Sequence, residues 1–235
     1  MSDPHQSTPG VLATIGAAFR QNRVPCVLLN VLVVALVASY YMMPSVAGVW
    51  QAVGEFKERW SYAFSLVSTI FAAVLMPSLV QWWRGVLPSE GRLKRVLLLV
   101  LFWGYRGMEI DLFYRAMGWL YGTGNDAATL LKKVATDQFV MSPLWFVPTY
   151  LIALRWVDNG GSITRTRASL NRDFWLHTCP TVLVTNWLIW IPALALIYSL
   201  PAALQFPLFA VVMTFFILLV TLMARAKDDD GHFAK

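Results

Sequence analysis

The sequence predicts an all-α membrane protein with about six transmembrane helices and one interfacial amphipathic helix, and with both termini in the cytoplasm. Only 14% of the 235 residues are charged and 57% are hydrophobic, whereas a soluble domain carries about 25% charged residues. The apolar residues also form long uncharged runs, close to the ~20 residues with which a helix crosses the hydrocarbon core. Because backbone polar groups in lipid must be paired internally, these runs predict helices.

Six runs define the predicted spans, and the chain reads as one membrane domain over residues 1–235. The spans are Val24–Met43, Ser61–Trp83, Arg95–Tyr121, Ala135–Trp156, Pro180–Leu200 and Ala202–Ala224. Within the domain we predict a polar N-terminal tail at 1–23, an additional first helix at 24–43, a core at 62–224 and a polar C-terminal tail at 225–235. The last two spans are separated by very few residues, so they are expected to form an antiparallel hairpin.

The segment between the fourth and fifth spans predicts the interfacial helix. The DNGG cluster at 158–161 is typical of a turn that ends a helix, and Ser162 can cap a new one. Ile163, Leu170 and Phe174 then recur at helical spacing, with basic residues elsewhere on the helical wheel. This pattern favours an amphipathic helix lying in the membrane interface, with an irregular loop as the alternative.

The Lys and Arg residues predict the orientation of the spans. If the spans alternate, most of the 19 basic residues fall on the side of the N-terminus. The opposite side receives only four: Lys57, Arg59, Lys132 and Lys133. Because cytoplasmic loops carry the excess of Lys and Arg, both termini are predicted to be cytoplasmic. The N-terminus resembles neither a cleavable signal nor an Arg-rich transit peptide, so we expect a bacterial inner membrane, with an organellar membrane as the alternative.

The third span contains four ionisable residues at pairing distance. Arg106 and Glu109 are separated by three positions, and Asp111 and Arg115 by four, so each pair can neutralise itself on one helix. At about 100° per residue the two pairs lie on roughly opposite faces, which predicts a central helix. Charges at membrane depth are functional candidates. We weigh two roles evenly: a structural buried pair for Arg106 with Glu109, and a pore or solute path for Asp111 with Arg115.

The fourth and fifth spans supply the other candidates for a solute path. Asp137 and Gln138 open the fourth span and are predicted to form a polar entrance. Pro143 and Pro148 should kink that span, and such breaks are tolerated beside protein or water. Asn186 lies within the fifth span, where it could bind a solute or form a helix-bridging hydrogen bond.

Small residues in the third span are interpreted as packing positions. Gly104 and Gly107 flank Arg106, and Gly118 with Gly122 forms a small-xxx-small pair. Small residues let membrane helices approach each other closely, so we favour helix packing over a flexible hinge at both places.

The sequence indicates no enzyme, metal or cofactor chemistry. It contains no HExxH, GxSxG or phosphate-binding loop signature, so no catalytic residue is predicted. His177 has no set of neighbouring ligands for a metal, and no cofactor is expected. Cys26 and Cys179 are expected to be free thiols on the reducing side. The net charge of +6 is scattered between apolar runs, so membrane topology explains it better than nucleic-acid binding.

The segment 171–201, NRDFWLHTCPTVLVTNWLIWIPALALIYSLP, carries a family signature. Its matching residues are Arg172, Asp173, Phe174, Asn186, Trp187, Trp190 and Pro201. Upstream, a second group matches in the same order: Lys132, Lys133, Asp137, Gln138, Ser142 and Pro143. With these motifs the chain resembles the Mpv17/PMP22 family of small multi-pass membrane proteins over about residues 62–224.

The resemblance implies a channel or transporter for small solutes. The alternative is a non-conducting membrane scaffold or regulator whose buried charges are structural, and a membrane-embedded lipid enzyme ranks third. The expected partners are the lipid bilayer and an unidentified small solute, and the chain could form homo-oligomers. Two polar positions of the family's helix are Leu194 and Ile197 here. A path would therefore depend on Asn186 and on the polar residues of the third and fourth spans.

Overall fold

The computed structural model describes residues 11–83 and 91–232, which form eight helices and no strand. The helices are α1 (Val11–Met42), α2 (Pro44–Trp60), α3 (Tyr62–Trp83), α4 (Arg92–Tyr121), α5 (Ala127–Asp158), α6 (Ile163–Ser169), α7 (Phe174–Tyr198) and α8 (Ala202–His232). The predicted all-α class is confirmed.

Five helices are long and apolar enough to cross a membrane, counted over the described residues. They are residues Arg23–Met42 of α1, the whole of α3, α5 and α7, and residues Ala202–Leu219 of α8. The remaining predicted span is α4, which at 30 residues is about 45 Å long and therefore long enough. Its ionisable residues lower its mean hydropathy, so α4 is long enough to cross a membrane but is not among the five helices that are also apolar enough.

The outer surfaces of the long helices are apolar. Val31 is 60% exposed, Val67 is 61% exposed and Leu144 is 73% exposed. Soluble proteins rarely expose contiguous apolar surface on this scale, whereas a lipid environment favours it. The protein is an integral membrane protein.

Helix α8 lies at the centre of the bundle. It contacts α1, α2, α3, α4 and α7. Its residues Leu204, Phe206 and Val212 are almost fully buried. The connection from α7 is short, and Gln205 Nε2 donates to the carbonyl of Leu200 at 3.0 Å, which satisfies a backbone group at the turn. The predicted hairpin is confirmed.

Helix α3 packs closely on α4 at two glycines. A Cβ atom on Gly104 would lie 3.3 Å from the Ile70 side chain. A Cβ atom on Gly107 would overlap both the Thr69 hydroxyl and the Ser65 carbonyl. Gly118 has only the Thr123 side chain nearby, at 3.9 Å, and Gly122 has no neighbour within 4 Å. The packing interpretation is therefore right for Gly104 and Gly107 and wrong for Gly118 and Gly122. Gly122 instead ends α4 with φ +83°.

The first and last helices extend beyond their predicted limits. Helix α1 begins at Val11 instead of Val24, and α8 continues to His232. The predicted polar tails are therefore helical over much of their length. Their remaining parts, 1–10 and 233–235, lie outside the described residues.

Helix α2 was not predicted. The segment mixes charged and apolar residues, so it resembles a loop between two spans. Pro44 at its start is suited to a helix N-terminus, and Gly54 and Lys57 are buried against the bundle. The helix breaks at Ser61, where φ is +45°, and the chain continues directly into α3.

A helix is present at the predicted interfacial position, but its apolar face differs from the prediction. Gly160 and Gly161 have φ values of +63° and +78° and end α5. Ser162 Oγ then accepts from the backbone N–H of Arg165 at 3.4 Å and caps α6. Ile163 is 77% exposed whereas Phe174 is 1% exposed. The chain breaks after α6, so Phe174 belongs to α7 and does not share a face with Ile163.

Helix α5 contains an 11-residue π-helical segment, Thr136–Phe146, in the middle of its span. Pro143 lies inside this segment and cannot donate a backbone hydrogen bond. The π-helical turns lie where the sequence predicts a kink, and both Pro and π-helical turns are known causes of helix kinks. Asp137 and Gln138 both belong to this irregular segment.

Candidate functional site

The π-helical segment of α5 presents two buried polar side chains to α7. Asp137 is 4% exposed and Gln138 is 2% exposed. The Tyr198 hydroxyl donates to Asp137 Oδ2 at 2.8 Å, and Gln138 Nε2 donates to Asp137 Oδ1 at 2.8 Å. Each carboxylate oxygen of Asp137 therefore accepts one hydrogen bond from a neutral group.

Two further residues of α7 bind the same segment. Asn186 Nδ2 donates to Gln138 Oε1 at 3.1 Å, and the Trp187 indole N–H donates to the backbone carbonyl of Gln138 at 2.6 Å. We call the set Asp137, Gln138, Asn186, Trp187 and Tyr198 the α5–α7 polar cluster. It brings together three of the predicted path residues, Asp137, Gln138 and Asn186.

Asp137 has no Lys, Arg or His within ion-pair distance among the described residues. The nearest cation on its own helix face is Lys133, one turn earlier. Lys133 is 1% exposed, and its Nζ lies 5.8 Å from the centroid of the Tyr198 ring. The ring of Tyr198 thus contacts a buried ammonium while its hydroxyl binds a buried carboxyl. The topology argument assigns Lys133 to the outer surface, so its burial was not predicted.

A second cluster surrounds Asp111 on α4. Lys57 Nζ lies 2.9 Å from Asp111 Oδ1, and Arg115 Nε lies 3.3 Å from the same oxygen. The Ser65 hydroxyl donates to Asp111 Oδ2 at 2.9 Å, and Arg115 also donates to the Ser61 hydroxyl at 3.2 Å. We call these five residues the Asp111 cluster. They join α4 to both sides of the break between α2 and α3.

The Asp111 cluster contains the predicted Asp111–Arg115 pair and one unpredicted member. Lys57 is 3% exposed, although the sequence placed it in an external loop. Asp111 therefore has two cationic partners, and it is fully enclosed, whereas the Arg115 side chain remains 39% exposed.

The predicted Arg106–Glu109 pair is present on the face of α4 that meets α5. Arg106 Nη1 donates to Glu109 Oε2 at 2.7 Å, and Arg106 Nη2 donates to the Thr149 hydroxyl at 2.7 Å. The Trp145 indole N–H donates to Glu109 Oε1 at 2.6 Å. The guanidinium also lies 5.2 Å from the centroid of the Phe102 ring. Both charges are therefore bound across the α4–α5 contact.

The predicted path residues divide into two clusters that do not contact each other. Asp111 and Arg115 face α2 and α3, whereas Asp137, Gln138 and Asn186 lie between α5 and α7. An aromatic pair links the two clusters. Tyr114, one turn from Asp111, is buried, and its ring lies edge-on to Tyr198 at 5.3 Å.

The remaining residues of the family signature lie along α7 and its two ends. Phe174 is buried against Val147 and Leu151 of α5. Trp190 packs on Phe209 of α8 with ring centroids 5.3 Å apart. Pro201 lies in the hairpin before α8, and Arg172 and Asp173 are exposed. Most of the signature therefore lies where α7 contacts its neighbours.

No protein-family profile, curated protein or solved structure matches this chain. The Mpv17/PMP22 resemblance remains a prediction from the residues that carry it. Among the described residues, no group of three or more His, Cys, Asp and Glu side chains could hold a metal ion.

Proposed function

We propose that this integral membrane protein carries a small polar solute across the bilayer, and that the α5–α7 polar cluster forms part of its path. The observation that carries the proposal is Asp137, a buried carboxyl within an apolar span that is held only by neutral donors. A charge at membrane depth is costly. Glu109 and Asp111, which join helices in the same protein, each have a cationic partner. Asp137 has none among the described residues, so a structural role explains it less well.

The cluster retains hydrogen-bonding capacity for a ligand. A carboxyl group has about four hydrogen-bonding positions in either protonation state, and Asp137 uses two of them. A solute with hydrogen-bond donors could occupy the others. Asn186 and Gln138 would add amide groups beside it, which suits a small polar molecule better than an apolar one.

The irregular backbone of α5 supports the same proposal. π-Helical segments are rare and are frequent at functional sites. Irregular backbone at membrane depth is tolerated beside protein or a water-filled cavity. Asp137 and Gln138 lie inside the 11-residue segment, so a change in its winding would change their contacts with α7.

The exposed charges support an orientation for this transporter. Nine basic residues of the described chain are exposed at one end of the bundle: Arg20, Arg23, Arg92, Lys94, Arg95, Arg155, Arg165, Arg167 and Arg172. At the other end Arg59 and Lys132 are exposed, because Lys57 and Lys133 are buried. The surface asymmetry is therefore larger than the sequence count indicates. We place the basic end and both termini in the cytoplasm of a bacterial cell, with the chain in the inner membrane.

A non-conducting scaffold is the second candidate function. Arg106, Glu109 and Asp111 are bound by partners from neighbouring helices, and these bonds lock α4 to α3 and α5. A protein whose polar groups only fix the bundle would show the same bonds. A scaffold role explains the bonds of α4 but does not explain why Asp137 has no cationic partner among the described residues.

Flux measurements on reconstituted protein separate the two candidates. Liposomes containing the wild-type chain should release or accumulate labelled sugars, amino acids or amines faster than empty vesicles. Asp137→Asn should lower the flux of the transported solute about tenfold or more, since a hydrogen bond to a charged group contributes about 1.5–3 kcal/mol.

Asp158→Asn is the matched control, because Asp158 is an exposed carboxylate paired with Arg95 at the basic end. It should leave flux unchanged. Folded wild-type protein without flux above empty vesicles would favour the scaffold. Equal flux in Asp137→Asn and wild type would show that the path lies elsewhere.

A further inference from the structure

A surface groove lies between the end of α3 and the start of α4, remote from the α5–α7 polar cluster. Its volume is about 510 Å³. The walls are formed mainly by Leu75, Leu79 and Trp82 of α3 and by Arg92, Leu93 and Val96 of α4. The groove is thus apolar along its length, with one guanidinium at the end where α4 begins.

The walls of the groove have the dimensions and chemistry of a site for part of a lipid chain. Leu75 and Trp82 are two helical turns apart, or about 10 Å along α3. Trp82 is 67% exposed, and exposed indoles concentrate at the level of the lipid headgroups. An acyl chain lying between Leu75 and Leu79 would therefore place its headgroup beside Trp82 and Arg92.

The charge of the described residues at the mouth of the groove is positive. Residues 92–95 contain three basic residues, Arg92, Lys94 and Arg95, and no acidic residue. Arg95 is bound to Asp158 at 2.7 Å. Arg92 and Lys94 are exposed and have no carboxylate partner in the described part of the chain. A zwitterionic headgroup would leave this charge unbalanced, whereas an anionic headgroup would neutralise part of it.

We propose that this groove binds one anionic phospholipid, with its phosphate at Arg92 and an acyl chain against Leu75, Leu79 and Leu93. The apolar walls select a lipid over a free phosphate, and the basic mouth selects an anionic over a zwitterionic headgroup. The site is independent of the proposed transport path. It lies in the leaflet that faces the basic end of the bundle.

The proposal is tested with the full chain, purified in detergent and stripped of lipid. Phosphatidylglycerol and phosphatidylcholine with identical acyl chains are titrated in turn, and bound lipid is counted by native mass spectrometry alongside the melting temperature. Phosphatidylglycerol should bind more tightly and raise the melting temperature more. Arg92→Gln should weaken its binding about fivefold. Arg59→Gln, which removes an exposed cation at the opposite end, should leave it unchanged.

A second variant separates the lipid site from a simple anion site. Ser78 also lines the groove, and Ser78→Trp should fill it and abolish the preference for phosphatidylglycerol while Arg92 remains in place. Equal binding of the two lipids by the wild type would overturn the proposal, as would unchanged affinity in Arg92→Gln. Stabilisation by soluble glycerol phosphate to the same extent would also overturn it, because no acyl chain would then be involved.

Discussion

The contact between α3 and α4 gives a sharp stability prediction, because it depends on the absence of one methyl group. Gly107→Ala would place a Cβ atom against the Thr69 hydroxyl and the Ser65 backbone carbonyl. Thr69 cannot move freely, since its Oγ1 also lies 2.8 Å from the backbone carbonyl of Trp103 on α4. The two helices must separate locally to accept the new atom.

The expected cost follows from two opposing effects. Overpacking of a close contact costs about 1–3 kcal/mol, and the upper part of that range applies because a backbone carbonyl cannot rotate away. Alanine is a better helix former than glycine by about 0.5–1 kcal/mol. The net destabilisation of Gly107→Ala should be about 1–2 kcal/mol.

Gly118→Ala on the same helix is the matched control. Its Cβ atom would meet only the Thr123 side chain, at 3.9 Å, so this variant should be as stable as the wild type or more stable by up to about 1 kcal/mol. The free energy of unfolding is measured in mixed micelles with increasing dodecyl sulfate, followed by circular dichroism. Equal stability of the two variants would refute the close contact at Gly107.

Three further predictions concern polar groups. Asp111→Asn should destabilise the protein by about 3–5 kcal/mol, because Lys57 then stays buried beside Arg115. Lys57→Met should destabilise the protein less, since Arg115 still compensates the charge of Asp111. Melting curves of the two variants compare their stabilities, and a lower stability for Lys57→Met than for Asp111→Asn would count against the Asp111 cluster. Trp187→Phe should lower the free energy of unfolding by about 0.5–1.5 kcal/mol, because the hydrogen bond from the indole N–H to the Gln138 carbonyl of α5 is lost. An unfolding curve identical to that of the wild type would show that this bond contributes nothing. Hydrogen bonds from Thr129, in the first turn of α5, lower the pKa of the Asp126 carboxyl below its usual value of about 3.9. The contribution of Asp126 to stability is therefore present above about pH 4 and is lost as the pH falls further. Asp126→Ala should flatten the pH dependence of the melting temperature between about pH 5 and pH 3, and a pH dependence parallel to that of the wild type would contradict this.

The bilayer makes much of this fold predictable from the sequence. Lipid-exposed backbone must be helical, so apolar runs alone located α1, α3, α5, α7 and α8. The pairs Arg106–Glu109 and Asp111–Arg115 were also predictable, because both partners lie on one helix at fixed spacing. Their partners on other helices depend on tertiary packing, which local spacing does not encode.

Burial of the outer basic residues was not predictable for the same reason. Lys57 and Lys133 lie in polar surroundings in the sequence, and a count of charges between spans assigns both to the surface. Their burial depends on Asp111 on α4 and Tyr198 on α7, which are distant in the chain. Helix α2, which contains Lys57, was not predicted either, because the charged residues of this segment resemble those of a loop.

The most direct test of the transport proposal asks whether water and small solutes reach the α5–α7 polar cluster. In a chain with Cys26 and Cys179 replaced by serine, Asn186→Cys is compared with Ala193→Cys, a fully buried position on the same helix. Both are exposed in liposomes to a small, charged methanethiosulfonate reagent. We predict that the thiol at position 186 reacts and the thiol at position 193 does not. Absence of reaction at both positions in folded protein would contradict the proposed path and support a dry structural cluster.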